Sequence, residues 1–282
     1  MKKITLESHG KINLSLDVLG KREDGYHELN TIMQEIELKD TIILEKRDSG
    51  IEIQSNNKNL PLDNTNLVYK AWEKMVDKVG ENRGIAINID KQIPIAAGLA
   101  GGSSNAAAVL KGLNQLWDLG FSQEELMNIG VEIGADVPFC IMGGTAWAQG
   151  IGEKLIKLKP FSGKVLLLAN PGIFVSTEKV YNNLDLTNGG NINIEEIIQF
   201  MEEDNLLKLG QNMANIMEDT VIKKYPIISE IKETMLNHGA LGSLMSGSGP
   251  TVFGIFDDKG KLCRCREELK KKIPIVVATK TR

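Results

Sequence analysis

The strongest chemical signal lies in Pro94-Ile95-Ala96-Ala97-Gly98-Leu99-Ala100-Gly101-Gly102-Ser103-Ser104. Upstream, Ile85, Ile87 and Ile89 alternate as one face of a half-buried strand. Downstream, Val109, Leu110, Leu113, Leu116 and Trp117 recur at helical spacing. A glycine loop between a strand and a helix exposes backbone N–H groups at the positive end of a helix dipole, which suits a phosphate. Ser103, Ser104 and Asn105 are residue types that cap a helix start. A Walker-type loop places a lysine and a hydroxyl after its last glycine, and the dinucleotide fingerprint needs a different glycine spacing. Here serines follow Gly102. A phosphate held by this loop would draw its positive charge from elsewhere in the chain. The same residues also fit a tight strand-to-helix turn with no ligand.

Three other features have chemical potential, each with a plainer reading beside it. Ser246-Gly247-Ser248-Gly249-Pro250 joins two apolar strands, as a hairpin turn or as a second glycine-serine loop closing on the same anion. Asp136 is the lone acid in Gly134-Ala135-Asp136-Val137-Pro138-Phe139. It reads as a turn carboxylate bonded to its own backbone, or as an acid near the mouth of a site. Lys11 interrupts an alternating strand pattern, either as a solvated edge lysine or as a site cation.

The elements that position these groups follow from periodicity and punctuation. Ile4, Leu6, Ile12, Leu14, Leu16 and Val18 share one parity over 4–18, which predicts a long strand with Lys11, Asn13 and Ser15 on its other face. A polar turn follows at 21–25, then strands at 31–38, 41–46 and 51–54 and a loop over 56–63. Asn64 or Thr65 is expected to cap a helix through Tyr69, Trp72, Met75 and Val76. Ser122-Gln123-Glu124-Glu125 has the form of a capping box. Gly143 to Gly150 turns into a strand, and Lys157, Lys159, Pro160, Ser162 and Gly163 mark a domain boundary. Beyond it we expect a buried strand at 165–169, a loop at 188–191 and helices at 194–201, 204–217 and 226–238. Strands around 241–245 and 251–256, a lysine-rich helix at 259–272 and a strand at 275–279 complete the pattern. The mixture predicts an α+β protein of two domains, 1–158 and 159–282.

Composition excludes several classes. The 282 residues carry a net charge of −4, so no basic field points to nucleic acid. The seven Lys/Arg residues between Lys259 and Lys272 read as a solvated helix face. No apolar run reaches the roughly 18 residues of a membrane span. The polar start from Met1 to Ser8 does not resemble a secretory leader. Three cysteines fit a reducing compartment, and a cytoplasmic location is expected. Cys263 and Cys265 lack a second pair to complete a zinc site, and His9, His27 and His238 are scattered.

Taken together, the segments resemble the GHMP small-molecule kinases over nearly the full length. The residues carrying the resemblance are Gly10-Lys11-Ile12-Asn13-Leu14, Asp24-Gly25-Tyr26-His27, Asn66-Leu67-Val68-Tyr69-Lys70-Ala71, the Pro94–Ser104 loop, Gly134-Ala135-Asp136-Val137-Pro138, Gly143-Gly144-Thr145-Ala146 and Met245–Pro250. The resemblance implies a ribosomal protein S5 domain 2-like N-terminal domain that binds ATP and a ferredoxin-like C-terminal domain. It implies transfer of the γ-phosphate of ATP, with Mg²⁺, to the 2-hydroxyl of a cytidine diphosphate-linked methylerythritol, in non-mevalonate isoprenoid biosynthesis. Asp136 matches the base and Lys11 its cationic partner. The Pro94–Ser104 loop, Asn66 and Lys91 match ATP contacts, and Ser103 is the hydroxyl nearest in sequence to support Mg²⁺. Tyr26 and Tyr181 match aromatics stacked on cytosine, although Tyr181 also reads as a packing residue. His27 matches a reader of the base edge, and Asn13 and Thr177 match contacts to the erythritol and diphosphate. The chain departs from the family at Ser8-His9-Gly10 and in having Ala96, Ala97 and Ala100 where glycine is frequent. The rivals are a kinase of the same family acting on mevalonate or homoserine, and a non-catalytic nucleotide- or RNA-binding module.

Overall fold

The computed structural model describes residues 2–186 and 189–282, so Asn188 of the expected 188–191 loop lies outside the described residues. The chain packs as two compact units. The first comprises Met1–Gly10, Leu38–Ile95 and Ala100–Gly143, and the second comprises Lys11–Glu37, Ala96–Leu99 and Gly144–Arg282. Strands β1 (Lys3–Lys21) and β2 (His27–Arg47) contribute residues to both.

In the first unit, Thr41–Arg47 of β2 pairs antiparallel with β4 (Gly84–Asp90), which pairs in parallel with β3 (Ile51–Ser55). Ile85, Ile87 and Ile89 are buried, as their alternation requires, while Asn88 is exposed. Helices α1 (Leu67–Val79) and α2 (Gly101–Trp117) pack together, and α3 (Gln123–Val131) and α4 (Val137–Met142) complete the layer. The capping box at α3 forms as expected between Ser122 and Glu125. The cap of α1 is Asn66 rather than Asn64 or Thr65, because its Oδ1 accepts the Val68 N–H at 3.1 Å.

In the second unit, Leu29–Gln34 of β2 pairs antiparallel with β5 (Thr145–Gly150), which pairs with β6 (Lys154–Lys157). A separate antiparallel sheet has the order β10-β7-β9-β8, from β7 (Val165–Asn170), β8 (Gly242–Met245), β9 (Val252–Phe256) and β10 (Ile275–Lys280). Helix α9 (Ile227–Asn237) precedes β8 and α10 (Lys259–Lys270) precedes β10. This is the ferredoxin-like βαββαβ arrangement, elaborated between β7 and α9 by α5 (Thr177–Asn182), α6 (Ile194–Glu202), α7 (Leu206–Asn212) and α8 (Glu218–Lys224). Helix α10 buries Leu262, Cys265 and Leu269 and leaves most of its basic residues in solvent. Burial pushes the Cys265 thiol up to about 11, so it stays protonated and inert at neutral pH.

The expected helix over 204–217 is broken. Its second half is drawn into pairing with β1: Leu16 N–H donates to Ala214 O at 2.9 Å, and Ile216 N–H donates to Leu16 O at 3.1 Å. Strand pairing outweighs helical periodicity here, as tertiary context commonly does. Short helices α4 and α5 carry too few turns to register as periodic patterns in the sequence.

Candidate active site

Lys11 is not a solvated edge lysine. It is 5% exposed on β1, and its Nζ donates to Asn13 Oδ1 at 2.7 Å. Burying an ammonium is costly unless hydrogen bonds replace its water. Asn13 is fixed in turn, donating from Nδ2 to Thr31 Oγ1 at 2.9 Å while Thr31 Oγ1 donates to Ser15 O. Residues 96–99 lie alongside: the Lys11 N–H donates to Leu99 O at 3.0 Å.

The second glycine loop meets the same residues. Ser246 Oγ donates to Gly98 O at 2.9 Å and accepts from the Asn13 N–H at 3.3 Å. Gly247 has φ +57°, and a Cβ there would lie 3.5 Å from Lys11 Nζ. Gly98 has φ +74°, and a Cβ there would lie 2.1 Å from Ser246 O. Gly98→Ala should therefore force the two loops apart, costing roughly 1–3 kcal/mol of strain and weakening ATP binding. Thermal melting with an ATP titration checks this; unchanged melting and affinity would contradict it. Ala96 (φ 51°) and Ala100 (φ 53°) occupy the left-handed region despite their methyl groups. The loop thus holds glycine-like conformations without glycine, at about 1–2 kcal/mol per residue.

Helix α2 starts at Gly101 after Ala100, with no side-chain cap bond. Ser103, Ser104 and Asn105 are therefore helical residues, not caps. The left-handed Ala100 leaves the first-turn N–H groups without a side-chain acceptor, which suits an anion. Ser104 Oγ donates to His9 O at 2.6 Å, and its oxygen lies 2.7 Å from Ser8 Oγ. Asn105 Nδ2 donates to Ser8 Oγ and Asp40 Oδ2, both at 2.8 Å. Lys91 pairs with Asp40, with side chains 2% and 0% exposed, and also donates to Asn105 Oδ1 at 3.3 Å. Asp40 Oδ1 accepts the Gln92 and Ile93 N–H groups at 2.7 and 2.8 Å. Lys91 thus braces the approach to the helix, with its ammonium held by Asp40. Asn66 is likewise committed, capping α1 and donating from Nδ2 to Pro61 O at 2.6 Å.

Asp136 stands at the N-cap of α4 without a side-chain capping bond, so helix capping does not consume its carboxylate. Its carbonyl accepts the Cys140 N–H at 3.1 Å, and Cys140 itself is buried.

In the second unit, His27 stacks on Tyr181 with centroids 4.8 Å apart and planes 24° from parallel. Tyr26 is 59% exposed. Thr177 Oγ1 lies 2.8 Å from Ser248 Oγ, tying α5 to the second glycine loop. Burial, and then Lys21, hold the His27 pKa below its ordinary 6.5, so its ring is neutral at neutral pH. Among the described residues, no three His, Cys, Asp or Glu side chains form a group that could hold a metal.

Sequence reasoning missed Asp40, Thr31 and Asn215, and read Asn105 only as a cap. Each is a buried polar residue holding another site segment.

A family model described as GHMP kinases N terminal domain matches residues 66–144, and one described as GHMP kinases C terminal matches residues 195–275. The chain belongs to the GHMP kinases and is a small-molecule kinase. It is similar to a 4-diphosphocytidyl-2-C-methyl-D-erythritol kinase of Caldicellulosiruptor bescii, with 48% identity over 98% of this chain and 97% of that one. A protein of the same name from Acetivibrio thermocellus is 49% identical, over 96% of each chain. The crystal structure of a 4-(cytidine 5'-diphospho)-2C-methyl-D-erythritol kinase matches with a TM-score of 0.83 and 31% identity, over 99% of both chains. A homoserine kinase from Cytophaga hutchinsonii shares the fold alone, with a TM-score of 0.81 and 19% identity over 100% of this chain and 95% of that one. The two-domain α+β fold is that of this family.

Proposed function

We propose that this kinase phosphorylates the 2-hydroxyl of 4-diphosphocytidyl-2-C-methyl-D-erythritol with ATP, in the non-mevalonate route to isoprenoid precursors in the cytoplasm. The observation that carries the substrate assignment is the neutral His27 stacked on Tyr181, in the same unit as the buried Lys11–Asn13 pair. A neutral imidazole presents one donor and one acceptor, as reading a cytosine edge requires. A ring pair of this kind has no use for an acceptor without a base, such as mevalonate or homoserine.

The roles follow from the chemistry of each group. The Pro94–Ser104 segment offers backbone N–H groups to the ATP phosphates. Asp136 takes the proton of the attacking hydroxyl, and Lys11 stabilises the charge that develops at that oxygen. Asn13 and Thr177 contact the erythritol and diphosphate, while Tyr26 and Tyr181 flank the base. Positioning and electrostatics supply most of the catalysis in phosphoryl transfer. With no protein cage for a metal among the described residues, Mg²⁺ fits as a cation carried on the ATP phosphates, which it neutralises. Residues 1–158 form the ATP-binding catalytic domain and 159–282 the C-terminal domain in this reading.

ADP release with ATP, Mg²⁺ and the cytidyl substrate tests the assignment. Turnover with that substrate and none with mevalonate or homoserine is expected; turnover with mevalonate alone would replace it with a rival of the same family. The state of His27 gives a second expectation. Burial, and then Lys21, shift its protonation to lower pH than an ordinary imidazole's, so KM for the cytidyl acceptor should rise only on acidification, at a lower pH than a free histidine would give. By linkage, stability falls in the same direction, because the unfolded chain binds the proton more readily. A KM rise already complete above pH 6.5, absent in His27→Phe, would contradict a neutral reader.

A further inference from the structure

A cavity of about 880 Å³ opens in the second unit, lined by none of Lys11, Asn13, Tyr26, His27, Thr177 and Tyr181. That volume suits a small organic ligand. Val180, Ile216, Val221 and Leu244 give it an apolar wall, with the Tyr225 ring at its side. Glu218, 9% exposed, and its half-buried partner Lys232 supply an ion pair within that wall. Lys179, Lys223 and Lys224 line it as well and are exposed. With Glu218 and Lys232 neutralising one another, these three ammoniums face two carboxylates, Asp185 and Asp219. The lining is therefore apolar in its walls and net cationic.

The same wall holds the second glycine loop. Glu218 Oε1 accepts the Met245 N–H at 2.7 Å, and Asn215 Nδ2 donates to Met245 O and Gly247 O, each at 2.8 Å. From there Ser246 reaches Gly98 and Asn13. Burial raises the Glu218 pKa in spite of Lys232, so its carboxylate depends on that ammonium. An anion bound in the cavity would compete with Glu218 for Lys232 and so loosen the seat of Met245. Helix α5 adds a second link, turning Lys179 and Val180 to the cavity while Tyr181 stacks on His27.

We propose that this cavity is an effector site for an amphipathic organic anion, an apolar body with one phosphate or carboxylate head, whose binding lowers turnover through the Glu218–Met245 contact. The probe is anilinonaphthalene sulfonate fluorescence on the whole chain, with octyl phosphate and octylamine as competitors. One saturable site is expected, displaced by octyl phosphate but not by octylamine, and unaffected by saturating ATP or cytidyl acceptor. Its affinity should fall about tenfold or more in Thr220→Trp, which fills the cavity, and in the double variant Lys223→Glu/Lys224→Glu. Melting temperatures show that each variant is folded. Octyl phosphate should lower kcat in the parent chain and not in Thr220→Trp. Displacement of the probe by ATP or acceptor, undiminished binding in both variants, or unchanged kcat with the site filled would each overturn the proposal.

Discussion

Asp136→Asn is expected to fold, to bind ATP as the parent does, and to turn over about 100- to 10,000-fold more slowly, the usual worth of a positioned general base. The change is nearly isosteric and removes the negative charge together with the capacity to accept a proton. Helix α4 should tolerate it, because the Asp136 side chain makes no capping bond there and its backbone carbonyl still accepts the Cys140 N–H. The measurement is kcat alongside ATP affinity by calorimetry and a thermal melt. Near-parent turnover would remove Asp136 from the base role and leave hydroxyl orientation to Lys11 and Asn13. A loss of ATP affinity equal to the loss of kcat would assign Asp136 to nucleotide binding instead.

Asp40→Asn carries the largest expected effect on stability. Asp40 is fully buried and its two oxygens accept from Lys91 Nζ, Asn105 Nδ2 and the Gln92 and Ile93 N–H groups. Neutralising it strands the Lys91 ammonium in a site where its side chain is 2% exposed. Breaking a buried pair from one side costs about 3–5 kcal/mol. In a chain of this size that lowers the melting temperature on the order of 10 °C. The double replacement Asp40→Asn/Lys91→Met removes both charges while keeping an acceptor for the Gln92 and Ile93 N–H groups, and should recover most of the loss, since desolvation offsets much of the attraction within such a pair. A melting temperature unchanged by Asp40→Asn would mean that the pair braces nothing. A double variant no better than the single one would shift the weight to the backbone bonds at Gln92 and Ile93.

How far the sequence reveals these features depends on whether the controlling force is local. The strand alternation of Ile85, Ile87 and Ile89, the Ser122–Glu125 capping box and the amphipathic α10 are local patterns, and each is present in the structure. The break at Met213–Met217 was not legible, because its cause is Leu16, some 200 positions upstream. The serines after Gly102 looked like caps because capping is read from residue type alone. The burial of Ser104 against Ser8 and His9 O is a tertiary fact. Ala96 and Ala100 illustrate the limit at finer scale: alanine predicts a right-handed or extended backbone, and the surrounding contacts impose the left-handed one. Lys11 is the most instructive case. Strand parity placed it with Asn13 and Ser15, and only the glycine loops around it show why that face is buried.

The most direct test of the central claim is to follow the acceptor rather than the nucleotide. Phosphorus NMR of a reaction containing the protein, ATP, Mg²⁺ and 4-diphosphocytidyl-2-C-methyl-D-erythritol should show one new phosphomonoester, coupled to the carbon that bears the 2-hydroxyl, accumulating in step with ADP. ADP accumulating with inorganic phosphate and no phosphomonoester, or a phosphomonoester formed only when mevalonate or homoserine is supplied, would contradict it.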